Sequence, residues 1–536
     1  MRRSLRFVHP FLIALYPVLS LLESNRDQMA VQGAFRSMLV SMVITFGLLL
    51  IVRLMVREWE KAALITSMTL LLFFSYGHLY RVIRYEELFG IVVGRHRYLI
   101  ILWLLFLGIW SWFVVKKIRQ ADLWNTTFSL VASVAIILPL IGIVQSEFKP
   151  GVDLQTSHES QFLQQSSDVH LNKNARDIYY IVVDGYGRED VLGDIYGFDN
   201  SEFITFLDEE GFYVAEESKS NYIQTALSLA SSLNMEYVNY LTDILGEESF
   251  DREPLNQLIQ DNRVMRYLDQ QGYNLVAFDT GHEATSLRDV DVFLSGEERS
   301  AFLPDWLTAN RIKPFEELLL ETTAVVGLLD RVHKAEDIFF ANVVERQYEA
   351  QRDRTLFILE SLRSLHEREG PTFAFAHIVA PHPPFVFGPE GEARNPDAPF
   401  TYHDGSDYLE AVGTREEYIE GYKDQLMFLN KQLARTIDDI LIHSDRPPII
   451  ILQADHGPGA YLNWKSLSET NIVERTSILN AFYWPELEDE YLYPSISPVN
   501  SFRLLLKAYF EENYELLDDR TYFSPSNRPY HFTEVE

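Results

Sequence analysis

Long apolar stretches fill the first 146 residues and limit what this part of the chain can fold into. A helix that spans a bilayer needs about 20 mostly apolar residues. Five stretches come close to that length: 7–23, 37–56, 62–80, 99–115 and 127–146. We therefore predict a membrane domain over residues 1–146 with about five transmembrane helices. The first stretch is short and contains Pro10 and Pro17. A cleaved signal peptide is its alternative, but no small-residue cleavage site follows it.

Basic residues predict how these helices are oriented, because Lys and Arg collect on the cytoplasmic side of a membrane. Three clusters fall on one side of a five-span arrangement: Arg2, Arg3 and Arg6; Arg53, Arg57 and Lys61; Lys116, Lys117 and Arg119. The loop with Arg81, Arg84, Arg95 and Arg97 falls on the other side. The majority predicts a multi-pass protein of the cell (plasma or inner) membrane, with its N-terminus in the cytoplasm and everything after residue 146 outside.

Charge and cysteine content exclude several classes of function. Residues 1–149 carry 16 Lys or Arg and 8 Asp or Glu, and the rest of the chain carries 30 and 69, so the net charges are +8 and −39. An acidic part of that size lacks the basic footprint that nucleic acid needs, so we expect no nucleic-acid partner. The chain has no cysteine, which excludes disulfides and thiolate metal sites.

The chain after the membrane domain reads as a linker followed by one α/β domain. Residues 147–176 are polar and rich in Gln and Ser, as expected for a linker. Strand-like segments then follow at 178–184, 273–279, 372–378 and 448–454, and helix-like segments at 201–210, 225–235, 263–271, 335–366 and 415–443. This alternation predicts an α/β/α sandwich with a mostly parallel central sheet over residues 177–536.

Acidic residues and a histidine follow two of the predicted strands. The stretch from Pro447 to Gly459 reads PPIIILQADHGPG, in which a buried strand ends at Asp455 and His456. The 178–184 strand ends in Asp184 and a glycine. Ligands bind beyond the carboxyl ends of such strands, and carboxylate and imidazole groups suit a divalent cation. The alternative is that both aspartates only accept hydrogen bonds from their turns.

Thr225 lies where a helix is predicted to begin. Thr is a favourable N-cap residue, so a purely structural cap is one interpretation. A hydroxyl at a helix N-terminus also faces free amides and the positive end of the helix dipole, where a phosphate is stabilised. Thr225 is therefore also a candidate nucleophile, provided that a metal activates it.

Two histidines lie five residues apart around the end of the 372–378 strand. His377 falls within the apolar segment and has a buried core histidine as its alternative. His382 lies between Pro381 and Pro383, which restrict the backbone. An imidazole on a stiff loop at a strand end is well placed to contact a substrate.

The ordered set Asp184, Thr225, His382 and Asp455-His456 resembles the sulfatase-like branch of the alkaline phosphatase superfamily. The architecture is most similar to its membrane-bound phosphotransferases, lipoteichoic acid synthase and the lipid A phosphoethanolamine transferases, which also join five spans to an extracytoplasmic α/β domain. The resemblance covers nearly the whole chain and implies an alkaline phosphatase/sulfatase-like fold for residues 177–536.

The resemblance also implies roles for individual residues. It implies one divalent metal ion held by Asp184, Thr225, Asp455 and His456, with Zn²⁺ or Mn²⁺ favoured and Mg²⁺ or Ca²⁺ as alternatives. Thr225 would be the nucleophile and carry a phosphothreonine intermediate. His382 would contact the phosphoryl group, and His377 is similar in position to one of a pair of histidines in the phosphoethanolamine transferases, so both are expected to bind substrate.

Some positions depart from the family pattern. Asp184 stands where those transferases usually have Glu, and the Cys/Ser-x-Pro-x-Arg frame of true sulfatases is absent. The Asp279 to His282 spacing is one residue short of the second metal motif in two-metal relatives, so one metal is expected.

The resemblance thus implies a transferase that moves a phospho-headgroup from a membrane phospholipid donor to a glycan or lipid acceptor of the cell envelope. One alternative is a sulfatase-like hydrolase, either a phosphodiesterase or a sulfuric ester hydrolase. The other alternative is a non-catalytic binding or assembly module.

Overall fold

The computed structural model describes residues 7–24, 31–83, 87–88, 91–92, 96–147, 175–296, 314–325, 335–394, 400–486 and 491–535. The chain divides into two compact units. The first contains Met1–Val152 and Arg299–Val343, and the second contains Asp153–Glu298 and Val344–Glu536. Most of the predicted linker, residues 148–174, lies outside the described residues.

The first unit is built from apolar helices. They are α1 (His9–Ser24), α2 (Phe35–Val56), α3 (Trp59–Ile83), α4 (His96–Lys116) and α5 (Ala121–Glu147), with a short hairpin of β1 (Glu87–Leu88) and β2 (Ile91–Val92). Four of them, α2 to α5, are long and apolar enough to cross a membrane, whereas α1 has 16 residues. Leu54 on α2 and Leu104 on α4 are more than half exposed, which suits a face in contact with lipid tails. The predicted apolar helical region is confirmed, and the count of five spans stays a prediction.

A buried polar cluster joins three of these helices. The His9 ring on α1 lies 2.6 Å from the Ser67 hydroxyl on α3 and 2.7 Å from Asn125 Oδ1 on α5. The Asn125 amide donates in turn to the carbonyl of Glu60 at 3.1 Å. Hydrogen bonds of this kind hold apolar helices together where burial of apolar surface gives no preference for one partner.

A segment from the middle of the chain also belongs to the first unit. The helix Pro314–Glu321 buries Phe315 and Leu319 in one cluster with Val18 and Leu19 of α1. Its Glu316 carboxylate pairs with the guanidinium of Arg36. The sequence predicts one uninterrupted α/β domain over residues 177–536, and the observed division of the chain differs from that prediction here. The reason is tertiary: the apolar face of this helix is buried against α1.

The same segment bonds to the backbone of α3. The Gly77 amide donates to the Thr322 carbonyl at 3.0 Å, and the Phe73 carbonyl accepts from the Ala324 amide at 2.8 Å. Phe73 and Gly77 are four residues apart. In a continuous α-helix the amide of Gly77 would donate to the carbonyl of Phe73. The segment is therefore attached to α3 through the groups of one helical turn.

We predict that the second unit lies outside the cytoplasm, because the Lys and Arg clusters favour an inside N-terminus. Reporter fusions after Lys117 and after the C-terminal residue should then report opposite sides of the membrane. A fusion after Arg57 is the control, since it should report the same side as the fusion after Lys117. If the fusions after Lys117 and the C-terminus report the same side, the five-span arrangement is wrong.

A seven-stranded mixed sheet forms the centre of the second unit. Its strands are β3 (Ile178–Val183), β4 (Tyr213–Val214), β5 (Asn274–Phe278), β6 (Val292–Leu294), β7 (Thr372–Ile378), β8 (Ile449–Gln453) and β9 (Asn480–Tyr483). The order is β4-β9-β8-β3-β7-β5-β6, and β8, β3, β7, β5 and β6 run parallel to one another. β9 pairs antiparallel with both of its neighbours, so β4 runs in the same direction as the five parallel strands. A separate hairpin pairs β10 (Thr521–Phe523) with β11 (Thr533–Val535).

Helices cover both faces of this sheet. They are α6 (Glu189–Asp194), α7 (Ser201–Glu209), α8 (Thr225–Asn234), α9 (Leu241–Leu245), α10 (Glu253–Gln260), α11 (Arg263–Gln270), α13 (Ala335–Arg363), α14 (Gly405–Ala411), α15 (Arg415–His443), α16 (Ile472–Thr476) and α17 (Pro498–Phe510), with α12 being Pro314–Glu321 of the first unit. Successive residues of β3 enter two different cores. Ile181 packs with α7, α13 and α15, and Tyr180 packs with α8, α11 and α17. The predicted α/β/α sandwich with a mostly parallel sheet is confirmed.

Candidate active site

The central strands bring two aspartates to one edge of the sheet. Val182 of β3 pairs with Gln453 of β8, so Asp184 and Asp455, each two residues further on, leave the sheet at the same level. Both side chains are buried. The Gly185 amide donates to Asp455 Oδ1 at 3.2 Å, with Gly185 at a φ of +75° that a residue with a Cβ rarely adopts. The turn at Gly185 therefore connects the end of β3 to the end of β8 through the Asp455 side chain.

His456 faces the first aspartate and the threonine. Its Nδ1–H donates to the Gly457 carbonyl at 3.0 Å, which leaves the Nε2 lone pair pointing into the site. Nε2 lies 3.5 Å from Asp184 Oδ1 and 3.3 Å from Asp455 Oδ2. A hydrogen bond from one ring nitrogen to a backbone carbonyl fixes the tautomer and the orientation of the ring. The other nitrogen is then free to bind a metal or accept a proton.

Thr225 is the first helical residue of α8, and Gln224 occupies the N-cap position. The Thr225 hydroxyl lies 3.1 Å from His456 Nε2. Ser228, one turn further along α8, donates to the Asp455 carbonyl at 2.7 Å and ties the helix to the β8 loop. The hydroxyl of Thr225 is therefore directed at His456. The interpretation of Thr225 as the N-cap residue is wrong, because the helix begins one residue earlier than a Thr225 cap requires.

His377 and His382 both contact Asp184. His377 Nε2 is 3.5 Å from Asp184 Oδ2, and its Nδ1 is 3.0 Å from the Thr285 hydroxyl. The amide of His382 donates to the Asp184 carbonyl at 3.1 Å, and its Nδ1–H donates to the Pro383 carbonyl at 2.6 Å. His377 is buried, yet its ring faces a carboxylate and not only the apolar core.

The imidazoles control the ionisation of the site. Burial raises the pKa of Asp184, but the neighbouring His382, His377 and His456 outweigh it and hold the pKa of that carboxyl well below its usual range. Burial lowers the pKa of His382, but Asp184 and Asp404 outweigh it and raise that pKa above its ordinary value. Burial and Arg475 lower the pKa of His456, which favours the neutral ring. The site thus combines an ionised carboxylate with a neutral imidazole, the forms in which both groups bind a metal.

The donors are suited to a divalent cation. Ligand atoms of Asp184, His377 and Asp455 all lie within 4.8 Å of one another. In the described part of the chain, Asp184 Oδ1, Asp455 Oδ2 and His377 Nε2 are buried without a hydrogen-bond partner. Buried polar atoms are almost always paired, so two carboxylate oxygens and a ring nitrogen without partners at one point suit a cation site. Mixed oxygen and imidazole donors suit Zn²⁺ or Mn²⁺.

The geometry brings together every residue singled out from the sequence. Asp184, Thr225, Asp455 and His456 form one connected set, and His377 adds a further nitrogen beside Asp184. His382 lies at the rim of this set, with its ring centre 6.0 Å from that of His456. The roles of these residues stay predictions.

Two charged residues of the site were not recognised from the sequence. Asp404 Oδ2 lies 3.6 Å from His382 Nε2 and accepts a bond from Arg475 at 2.6 Å. Arg475 holds the pKa of Asp404 at about 2 in spite of burial. The only signal in the sequence is the Asp404-Gly405 pair, which is typical of a turn. Arg475 stands in the polar stretch NIVERTS, which looks like surface.

No protein-family model matches the chain, and no curated protein matches it. Several solved structures are similar to it. The C-terminal periplasmic domain of EcEptC from Escherichia coli, in complex with Zn, is 10% identical, with 62% of this chain and 81% of that chain covered and a TM-score of 0.36. Lipooligosaccharide phosphoethanolamine transferase A from Neisseria meningitidis, an integral membrane protein, is 11% identical, with 90% and 89% covered and a TM-score of 0.32.

A sulfatase is also among the similar structures. The putative sulfatase from Bacteroides thetaiotaomicron is 13% identical, with 67% of this chain and 75% of that chain covered and a TM-score of 0.39. The similar structures therefore include both kinds of protein named from the sequence motifs, membrane phosphoethanolamine transferases and sulfatases.

Proposed function

We propose that this protein is a membrane-anchored, metal-dependent transferase that moves a phospho-headgroup from a membrane phospholipid to an acceptor of the cell envelope. The observation that carries the proposal is the position of the Thr225 hydroxyl, 3.1 Å from His456 Nε2 at the first turn of α8. The same Nε2 lies 3.5 Å from Asp184 Oδ1 and 3.3 Å from Asp455 Oδ2, so the hydroxyl and both carboxylates surround one imidazole nitrogen. A binding module has no need of that combination.

Asp184, Asp455, His456 and Thr225 would hold one divalent ion, as the orphaned carboxylate oxygens support. When bound, such an ion supplies positive charge that lowers the pKa of a hydroxyl and neutralises phosphoryl oxygens. His377 supplies a further nitrogen beside Asp184. Its role as a substrate-binding residue stays part of the proposal, since the same ring is also within reach of a cation.

The residues of the chain then divide the reaction between them. Thr225 Oγ1 attacks phosphorus, so the Thr225 O–P bond forms while the bond to the leaving diacylglycerol oxygen breaks. The proton of the Thr225 hydroxyl ends on that leaving alcohol. His382, whose pKa is raised, donates a hydrogen bond to a phosphoryl oxygen and stabilises the charge that develops on it. The oxygen of an acceptor hydroxyl then attacks phosphorus, the Thr225 O–P bond breaks, and the proton of the acceptor hydroxyl ends on Thr225 Oγ1.

Two features of the chain support a lipid donor. The apolar helices α2 to α5 place the chain in a membrane, where phospholipids are available. The second part of the chain carries a net charge of −39. An anionic headgroup is therefore attracted only locally, by His382 and a bound cation.

The substrate class is tested by turnover of matched esters. We expect a phosphodiester to be turned over at least about tenfold faster than the corresponding sulfate ester, because Thr225 cannot form the aldehyde that sulfatases use. The measurement compares initial rates on a fluorescent phospholipid, a chromogenic phosphodiester and a chromogenic sulfate, with a chelated sample as the blank. Faster turnover of the sulfate would contradict the proposed substrate class. Release of free headgroup without an acceptor product would assign the hydrolase alternative.

A further inference from the structure

A buried guanidinium lies directly behind the site. Arg475 is among the largest fully buried side chains of the described chain, with an exposed fraction of 1%. It belongs to the short helix α16, which precedes the edge strand β9. Arginine is almost never fully buried unless its donors are paired, so the partners of Arg475 define its purpose.

Those partners come from three separate loops. Nε donates to the Ile223 carbonyl at 2.9 Å, and Nη1 donates to the Gly457 carbonyl at 3.0 Å and to Asp404 at 2.6 Å. Nη2 lies 3.2 Å from His456 Nε2. The guanidinium carbon also lies 5.1 Å from the ring centre of Trp464, a distance at which a cation is attracted to the ring.

Two of these partners stand next to the reacting groups in the sequence. Ile223 precedes Thr225 by two residues, and Gly457 follows His456 directly. A backbone hydrogen bond also joins Gly457 to Arg475, because the Gly457 amide donates to the Arg475 carbonyl at 2.8 Å. A Cβ on Gly457 would lie 2.1 Å from the Glu474 carbonyl oxygen, so only glycine allows this approach.

The third partner leads to the substrate-side histidine. Asp404 holds Arg475 through Oδ2, and the same oxygen lies 3.6 Å from His382 Nε2. Its Oδ1 accepts from the Tyr418 hydroxyl at 2.6 Å, which keeps the carboxylate in place. The Arg475 guanidinium is thus hydrogen-bonded to the loops that carry Thr225 and His456. It also pairs with Asp404, which lies beside His382.

We propose that Arg475 is a positioning residue that sets the distance between the Thr225 hydroxyl and His456 Nε2. The expected effect of Arg475 on the reactivity of Thr225 rests on the proposed function. Its expected effect on metal binding depends only on the positions of the metal ligands. A rigid guanidinium fork can bind both carbonyls at once, whereas a lysine ammonium is a single point on a flexible stem. Residues that orient metal ligands in this way change metal affinity or activity about 10- to 100-fold when they are replaced.

The test compares Arg475→Lys with Arg503→Lys in the full-length protein. Arg503 is a matched control, since its guanidinium also donates to two carbonyls, those of Met235 and Glu515, at 2.7 and 2.6 Å. We expect both variants to unfold at similar temperatures. We expect only Arg475→Lys to bind Zn²⁺ or Mn²⁺ about 10- to 100-fold more weakly, in titrations of metal-free protein, and to modify Thr225 about 100-fold more slowly in a single turnover. Its KM for phospholipid should change less than about threefold.

The outcomes separate the two proposals. Equal metal affinity and equal Thr225 modification in the two Lys variants would reduce Arg475 to structural support and overturn the inference. If the wild type binds the ion but Thr225 stays unmodified, the proposed function fails while the metal titration still decides the role of Arg475. A wild type that binds neither ion contradicts both proposals.

A second variant is available if Arg475→Lys does not fold. The double substitution Arg475→Met with Asp404→Asn removes both charges, so that neither is left buried alone. The same weakening of metal binding relative to Arg503→Lys is expected, and its absence would again overturn the inference.

Discussion

Replacing Thr225 with alanine is expected to lower turnover at least about 10⁴-fold, as when the nucleophile of a covalent mechanism is removed. The fold should survive, because Gln224 and not Thr225 occupies the N-cap position of α8. The hydroxyl makes a hydrogen bond with His456, and a bond of this kind contributes about 1 kcal/mol. Single-turnover rates with a fluorescent phospholipid measure the effect, and thermal unfolding measures the stability.

Three further variants define what the loss means. Thr242→Ala is the matched control, since Thr242 also lies at a helix start and donates to one carbonyl, that of Tyr530, at 2.7 Å. It should keep wild-type turnover. Thr225→Ser keeps a hydroxyl and should retain part of the activity, and His382→Ala should lose about 10²–10³-fold, as for one lost oxyanion contact. Substantial turnover by Thr225→Ala would rule out the covalent mechanism.

Replacing Asp455 with asparagine is expected to remove the bound metal and the activity together. Asparagine keeps an oxygen that can accept the Gly185 amide, so the turn between β3 and β8 should persist. It removes the negative charge and the second carboxylate oxygen, Oδ2, which is buried and unpaired in the described structure. Metal content per chain by elemental analysis measures the loss. The rise in unfolding temperature on addition of Zn²⁺ or Mn²⁺ measures it independently, because a ligand at 100 times its Kd stabilises by about 2.7 kcal/mol.

Asp177 offers the control for this substitution. It accepts the Thr372 amide at 2.8 Å at the other end of β3, so Asp177→Asn changes a similar hydrogen bond far along the strand from Asp184. The control should keep its metal and respond normally to added metal. Full metal occupancy in Asp455→Asn would refute the assignment of Asp455 as a ligand.

The central strands were predictable because each is a short apolar run bounded by turn residues. The predicted 372–378 strand is β7 without any change of boundary. β3 is one residue shorter than predicted at one end, and β5 and β8 are one residue shorter at each end. The helix over 415–443 was also predicted without error, since Thr414 and Glu417 form a capping box before a regular apolar pattern. Burial on both faces of the sheet makes these segments apolar throughout.

The edges of the sheet could not be predicted in the same way. β4 and β6 have two and three residues, and β9 is antiparallel and begins with a buried Asn480. Such short segments become strands because a neighbour already in place offers them hydrogen bonds. The attachment of Pro314–Glu321 to the first unit is likewise a tertiary outcome, decided by Phe315 and Leu319 against α1.

The site shows the same division. Asp184, Asp455 and His456 were predictable because polar residues directly after buried parallel strands collect at one edge of a sheet. The position of Thr225 followed from the start of α8, although the identity of its N-cap residue did not. Asp404 and Arg475 could not be found, because each becomes buried only when three loops pack against each other, and in the sequence both stand among polar neighbours.

The most direct test of the proposed function is the mass of the Thr225 peptide from wild-type protein incubated with membrane phospholipids. We predict a phosphate-containing adduct on Thr225 whose extra mass equals the transferred phospho-headgroup, and we predict that it disappears when the acceptor is supplied. The Thr225→Ala protein is the blank for this measurement. An unmodified Thr225 under conditions in which the lipid is consumed would contradict the phosphothreonine mechanism.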